Sequence, residues 1–310
     1  MIERIIGHYQ TIRPHLRPDQ PIAYRRERIL TPDDDFLDLD WLATDGCRRL
    51  VVLSHGLEGD SRRGYIVSAA RYFAARQWDV LAWNCRSCSG EMNRTPKLYS
   101  HGQSEDLGAV VDHALATGRY DRVVLIGYSM GGNLTLKYLG TAGRDRPAAV
   151  THGVAFSAPC FIQHSVDSLE RPDNYVYKRK FYKALAAKVR AKEAQFPGLV
   201  DVSALQRIKV WRDFDRAFSA VIGGYKDLDE YYRYLSSGHY VAGTTAPALI
   251  VNALNDPIIP AACTPVDLAR KHPLITVRQP ARGGHVGFAL RKEAHNAMDV
   301  LAEDFINGKG

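Results

Sequence analysis

The stretch from Arg122 to Leu139 constrains this chain more than any other. Val123, Val124, Leu125 and Ile126 form an apolar, β-branched run of the kind that makes a buried strand. Asn133 to Leu139 reads as a helix. Between them stand Gly127-Tyr128-Ser129-Met130-Gly131-Gly132. A strand and a helix joined by so short a turn nearly touch. Gly127 and Gly131 remove the side chains that would collide there. The serine backbone is then strained, and its hydroxyl is lifted clear of the sheet above a helix N-terminus. Glycine-x-serine-x-glycine between a strand and a helix is the pattern of a nucleophile elbow.

The same alternation runs through most of the chain. Leu50–Leu53, 78–83, 150–156, 248–251 and 274–277 read as strands. Residues 65–76 and 104–116 read as helices, the second with Leu107, Val110, Val111, Ala114 and Leu115 on one face. Asp35–Trp41 mixes apolar and acidic residues, as an early, partly exposed strand does. This rhythm predicts an α/β fold with a mostly parallel sheet covered by helices on both faces. It stops between about 160 and 240, where the chain is helical, basic and rich in tyrosine. A helical insertion between two core strands is the sequence form of a cap. The expected organisation is a core in two parts, 1–159 and 241–310, with a cap insertion at 160–240. A length of 310 residues suits one large domain with an insertion, or two smaller domains.

Composition narrows the function classes. No apolar run approaches the roughly 20 residues of a membrane helix, and the first residues lack the apolar core of a signal peptide. The expected location is cytoplasmic. Five cysteines are an odd count and argue against a disulfide framework. Cys85-Arg86-Ser87-Cys88 has the spacing of a redox or metal motif. It follows a strand and enters a polar loop, rather than opening a helix that would lower a thiol pKa, and no second pair accompanies it. No metal or cofactor is expected. The net charge is +7. Much of the excess lies between Arg171 and Arg216, either as a solvated helical face or as an attraction to an anionic membrane surface or substrate. No nucleic-acid motif accompanies it.

A serine hydroxyl attacks well only if a base takes its proton and a carboxylate orients that base. Behind a nucleophile elbow the partners follow in the order acid, then histidine. Asp256, in Asn255-Asp256-Pro257, follows strand 248–251 and is the expected acid. The preceding strand ends in Phe156-Ser157-Ala158-Pro159, which offers no carboxylate. His285, in Gly283-Gly284-His285-Val286-Gly287-Phe288, follows strand 274–277 and is the expected base. His55, His101 and His152 compete, but His55 belongs to another element and His152 lies within a strand. The loop His55-Gly56-Leu57-Glu58-Gly59 follows strand 50–53. Its Leu57 amide, with the Met130 amide, is the expected oxyanion hole; one such donor is worth about 10²–10³ in rate. His55 and Asp60 have a spacing found in some acyltransferases, but it falls on this oxyanion loop.

These residues, with several stretches outside the site, resemble the YheT-type branch of the α/β-hydrolases. That branch groups bacterial esterase-like proteins with eukaryotic abhydrolase-domain lipases. The resemblance rests on Gly7–Ile12, Arg26-Glu27, Asp35–Trp41, His55–Gly59, Asn84–Glu91 and Gly127–Asn133. It continues through Phe214-Asp215, Gly224-Tyr225, Asp229–Tyr232, Asp256-Pro257 and Gly283–Phe288. Ser87 and Cys85 depart from the family pattern near the mouth of the site. The resemblance implies a carboxylesterase or acylglycerol lipase acting on a small-molecule or lipid ester. Acyl transfer to an alcohol and phospholipid cleavage are the alternatives among relatives; a non-catalytic scaffold is the alternative of another class. Phe161, Tyr175, Tyr177, Phe181 and Tyr182 either line an acyl pocket or pack the cap onto the core.

Overall fold

The computed structural model describes residues 2–16, 21–288 and 295–309. Eight strands form one sheet: β1 (Arg25–Leu30), β2 (Phe36–Leu42), β3 (Arg49–Ser54), β4 (Asp79–Asn84), β5 (Arg122–Tyr128), β6 (Val150–Phe156), β7 (Ala248–Val251) and β8 (Ile275–Arg278). Their order across the sheet is β1-β2-β4-β3-β5-β6-β7-β8. β2 is antiparallel to both β1 and β4, and every other pair is parallel. Parallel strands need crossovers, and helices supply them on both faces.

Alternation along the central strands sorts the core into two layers. Leu50, Val52 and Leu125 point to one face, where Leu107, Val110 and Val111 of helix Ser104–Ala116 and Leu134, Leu136 and Leu139 of helix Met130–Ala142 meet them. Val51, Leu53, Val124 and Ile126 point to the other, against Ile66 and Phe73 of helix Gly64–Ala74 and Met298 and Ile306 of helix Ala297–Ile306. That last helix is not read from its periodicity above. Its start signal is a capping box: the Asn296 side chain accepts from the amides of Met298 and Asp299, and Asp299 accepts from the Asn296 amide.

β2 corrects one expectation. It is buried along Phe36–Trp41, not partly exposed. Its carboxylates go inside because they arrive paired. Arg28 makes two bonds to Asp38, at 2.7 and 2.9 Å, and Arg26 two to Asp40, at 2.8 and 2.7 Å.

Between β6 and β7 the chain is helical, with Ile162–Leu169, Tyr175–Gln195 and Leu228–Leu235 as its main segments. They enclose apolar clusters of their own around Trp211, Tyr231 and Leu235 and around Val189, Phe214 and Phe218. The first helix, Ile2–Ile12, lies against loops at the carboxyl edge of the sheet; a Cβ on Gly7 would sit 1.9 Å from the Asn255 carbonyl oxygen. Among the described residues, no helix is long and apolar enough to cross a membrane.

Candidate active site

Ser129 stands between β5 and helix Met130–Ala142 with φ 54° and ψ −118°, a conformation that L-residues rarely adopt. Crowding forces the turn. A Cβ on Gly127 would lie 2.1 Å from the Gly131 carbonyl oxygen, and one on Gly131 would lie 2.1 Å from that of Ser54. The strain, on the order of 1–3 kcal/mol, is held by the bond from the Ser129 amide to the Phe156 carbonyl, 2.8 Å.

The structure brings Ser129, His285 and Asp256 together. His285 Nε2 is 3.0 Å from Ser129 Oγ, and His285 Nδ1 is 2.9 Å from Asp256 Oδ2. The Asp256 side chain is fully buried, and its Oδ1 accepts from the amides of Ile258 at 2.8 Å and Ile259 at 2.9 Å. A carboxylate held in this way only accepts, so the proton sits on Nδ1. Nε2 then offers its lone pair to the Ser129 hydroxyl.

Several residues that hold this arrangement carry no signature of their own in a single sequence. Asn255 Oδ1 accepts from the amides of Gly283 and Gly284, each at 3.0 Å, and its Nδ2 donates to Gln10 at 2.8 Å. Thr11 Oγ1 accepts from the His285 amide at 2.9 Å and donates to the Gly7 carbonyl at 2.7 Å. Ser157 Oγ accepts from the Val286 amide at 3.0 Å. The first helix thus braces both the acid loop and the histidine loop. The one available signal was the resemblance at Gly7–Ile12, which named the segment without a role.

In the loop after β3, the Gly56 amide donates to Tyr65 Oη at 3.0 Å and the Glu58 amide to Tyr99 Oη at 3.0 Å. The Gly59 amide donates to the Gly56 carbonyl at 2.9 Å. The amide of Leu57 is left over, without a protein partner among the described residues. Gly56 passes close by the elbow: a Cβ there would lie 3.2 Å from that of Ser129.

The competing histidines have other tasks. His55 Nε2 accepts from the Cys85 amide at 3.1 Å, Nδ1 meets the Gly56 carbonyl at 2.8 Å, and burial lowers its pKa to about 4. His152 bonds Thr151 and packs on Phe305. His101 lines the same pocket as Ser129 and His285, and burial lowers it too to about 4. Burial pushes the Cys88 thiol up to about 11 and raises that of Cys85, so both stay protonated at neutral pH.

The family model for the alpha/beta hydrolase fold matches residues 49–291. The chain is an α/β-hydrolase. It is 31% identical to mouse phospholipase ABHD3 over 89% of this chain and 69% of that one. It is equally 31% identical to YheT of Escherichia coli, over 91% and 84% of the two chains. The monoacylglycerol lipase of Saccharomyces cerevisiae is 26% identical over 85% of this chain and 59% of its own. Among solved structures, the Pyrococcus furiosus esterase Pf2001 superposes with a TM-score of 0.60 at 16% identity, covering 93% of this chain and 91% of that one.

In this α/β-hydrolase the pocket at Ser129 is narrow, about 40 Å³, and lined by Leu57, Ile162, Val166, Phe181 and Ile258 among others. Of the five aromatic residues considered for an acyl pocket, only Phe181 reaches it. Tyr177 stacks on His8, Phe161 packs on His239, Tyr182 packs on Phe214, and Tyr175 is exposed. A larger cavity of about 880 Å³ lies between helix Ser104–Ala116 and the helices after β6. Lys188 links those helices to the loop after β3. Its Nζ donates to Glu58 Oε1 at 2.8 Å, lies 3.3 Å from Cys88 Sγ and sits 4.6 Å from the centre of the Tyr99 ring.

Proposed function

We propose that this α/β-hydrolase cleaves carboxylic esters through Ser129, His285 and Asp256. Ser129 Oγ attacks the ester carbonyl while His285 Nε2 takes its proton. Asp256 holds the resulting imidazolium. The amides of Leu57 and Met130 receive the oxyanion, each worth about 10²–10³ in rate. His285 then gives its proton to the leaving alcohol. Water, activated by the same imidazole, releases the acid and restores Ser129.

The observation that carries this reading is the unbroken hydrogen-bonded chain from Ser129 to Asp256 at a strained elbow, in a pocket that Leu57 also lines. A narrow apolar pocket suits an acyl chain, and the relatives named phospholipase and monoacylglycerol lipase favour a lipid ester as substrate. Residues 160–240 serve as a cap on a core made of 1–159 and 241–310. Their basic side chains offer contact with an anionic surface. All five cysteines are free thiols, as suits work in the reducing cytoplasm.

A fluorophosphonate probe tests the proposal. It is expected to label wild type and not Ser129→Ala, and a panel of esters of rising acyl length then ranks small esters against monoacylglycerols. Folded wild type that resists labelling would leave a non-catalytic scaffold as the better account.

A further inference from the structure

The first helix has two faces of opposite character. Gly7 and Thr11 are buried against the acid and histidine loops. On the far side, Ile2, Ile5, Tyr9, Ile12 and Leu16 are 72%, 62%, 61%, 42% and 77% exposed. At about 100° per residue Ile2, Ile5, Tyr9 and Ile12 fall within an arc of about 80°, and Leu16 follows in the 3₁₀ turn Arg13–Leu16. They are five of the eleven large apolar side chains that are exposed among the described residues. Tyr175 and Val176, 59% and 69% exposed, precede Tyr177, which stacks on His8 of the first helix. A contiguous apolar stripe in water is costly unless something covers it.

The charges around the stripe select its partner. The carboxylates nearby are neutralised: Glu3 by Arg282 at 2.6 Å and Asp173 by Arg4 at 2.9 Å. Arg13, at the stripe's edge, has no carboxylate partner among the described residues; Arg171, which shares Asp173 with Arg4 at 3.5 Å, and Arg179 are exposed close to Tyr175 in the chain. The result is an apolar face with a cationic border and an aromatic residue at its centre, the make-up of a helix lying in a lipid interface. A second copy suits it poorly. A two-fold contact sets each stripe on itself and brings these cations together in a chain of net charge +7.

We propose that helix Ile2–Ile12 is an in-plane anchor for bilayers that carry anionic lipid, which presents the Ser129 pocket to lipid esters; the second half rests on the ester-hydrolase reading. The helix that touches the membrane is then the helix that braces His285. Vesicle flotation of the full chain tests it, using phosphatidylcholine vesicles with and without phosphatidylglycerol. Wild type is expected to float with the anionic vesicles. The triple variant Ile5→Gln, Tyr9→Gln, Ile12→Gln should bind at least about tenfold more weakly, with fluorophosphonate labelling and turnover of a soluble acetate ester unchanged. Arg13→Gln, a second variant that leaves the stripe intact, should weaken binding to anionic vesicles alone. Wild type that stays in solution with both vesicle types, or a triple variant that floats as well as wild type, overturns the anchor. So does light scattering that finds a dimer which the triple variant dissolves, for the stripe is then a self-interface. Flotation without probe labelling would instead sink the hydrolase reading and leave the anchor standing.

Discussion

At the carboxyl edge of the sheet, the loops that carry Ser129, Asp256 and His285 are held through their own main-chain amides, which donate to a carbonyl or to the side chains of Asp256, Asn255, Thr11 and Ser157, whereas the helices between β6 and β7 are tied to one another by pairs of side chains. The Ser129 amide donates to Phe156, Asp256 Oδ1 accepts from two amides, and the His285 loop is pinned through four of its own amides. In the helical region the ties are pairs such as Tyr232 Oη to Asp215 at 2.8 Å, Arg212 to Asp167 at 2.7 Å and Tyr225 packed at a tilt on Tyr231. Amide donors fix the backbone of the loop itself, and their acceptors Asn255, Thr11 and Ser157 are particular side chains. Side-chain ties can be exchanged for others of similar size and charge. The first region therefore suits chemistry that tolerates no displacement, and the second suits a surface whose shape is tuned to a substrate.

The strongest way to break that contrast is at the edge itself. Ser129→Ala is expected to lower kcat on a soluble ester by about 10⁶-fold with the melting temperature nearly unchanged. A loss below about 100-fold would place the nucleophile elsewhere. Asp256→Asn comes next. It keeps the shape and the two amide bonds but favours the wrong imidazole tautomer, so kcat should fall by about 10⁴-fold with little change in KM. An equal rise in KM would mean that the loop had moved and that Asp256 acts through structure alone.

The same contrast explains what was legible in sequence. Ser129, Asp256 and His285 each follow a strand whose apolar run is plain, and each sits in a short motif with glycine, asparagine or proline whose backbone demands are local. The parallel sheet was legible for the same reason, because strands buried on both faces have few ways to be written. Gln10, Thr11 and Ser157 were not, since a hydroxyl or an amide that braces a loop from a distant segment leaves no local trace. The burial of β2 is not legible in the sequence, because Asp38 and Asp40 look exposed until Arg28 and Arg26 are set beside them by the pairing of β1. The lining of the pocket was equally hidden: which of Phe161, Tyr177, Phe181 and Tyr182 faces Ser129 depends on helix rotation, not on residue type.

A prediction of intermediate size concerns His55, at the edge but off the reacting path. Burial lowers its pKa to about 4, from an ordinary 6.5. Between those values the unfolded chain binds a proton that the folded chain refuses. The stability is fully present above about pH 6.5 and is lost as the pH falls toward 4, by about 3 kcal/mol from this group. His55→Gln should flatten the fall in melting temperature across that range, whatever its effect at pH 7. An unchanged slope would mean that His101, buried to a similar pKa, or other groups set the acid sensitivity.

The smallest effect tests one of the ties between the two regions. Lys188 comes from the helical region and Glu58 follows Leu57 in the loop after β3; their side chains are only 14% and 13% exposed. Glu58 holds φ at 54°, so its neighbour's amide is aimed by a turn that is strained without support. Lys188→Met removes the cation and leaves the buried Glu58 carboxylate with the Tyr99 hydroxyl but no counter-charge, which pulls the loop toward water. For a small soluble ester we expect kcat to fall about tenfold with KM nearly constant, because the Leu57 amide matters most when the oxyanion forms. Adding Glu58→Gln removes the stranded charge as well, so the double variant should regain most of the loss. If the two losses simply add, the loop keeps its geometry without the helical region. The contrast between an edge held through its own amides and a side-chain-held cover would then extend across this ion pair, with the edge independent of what lies over it.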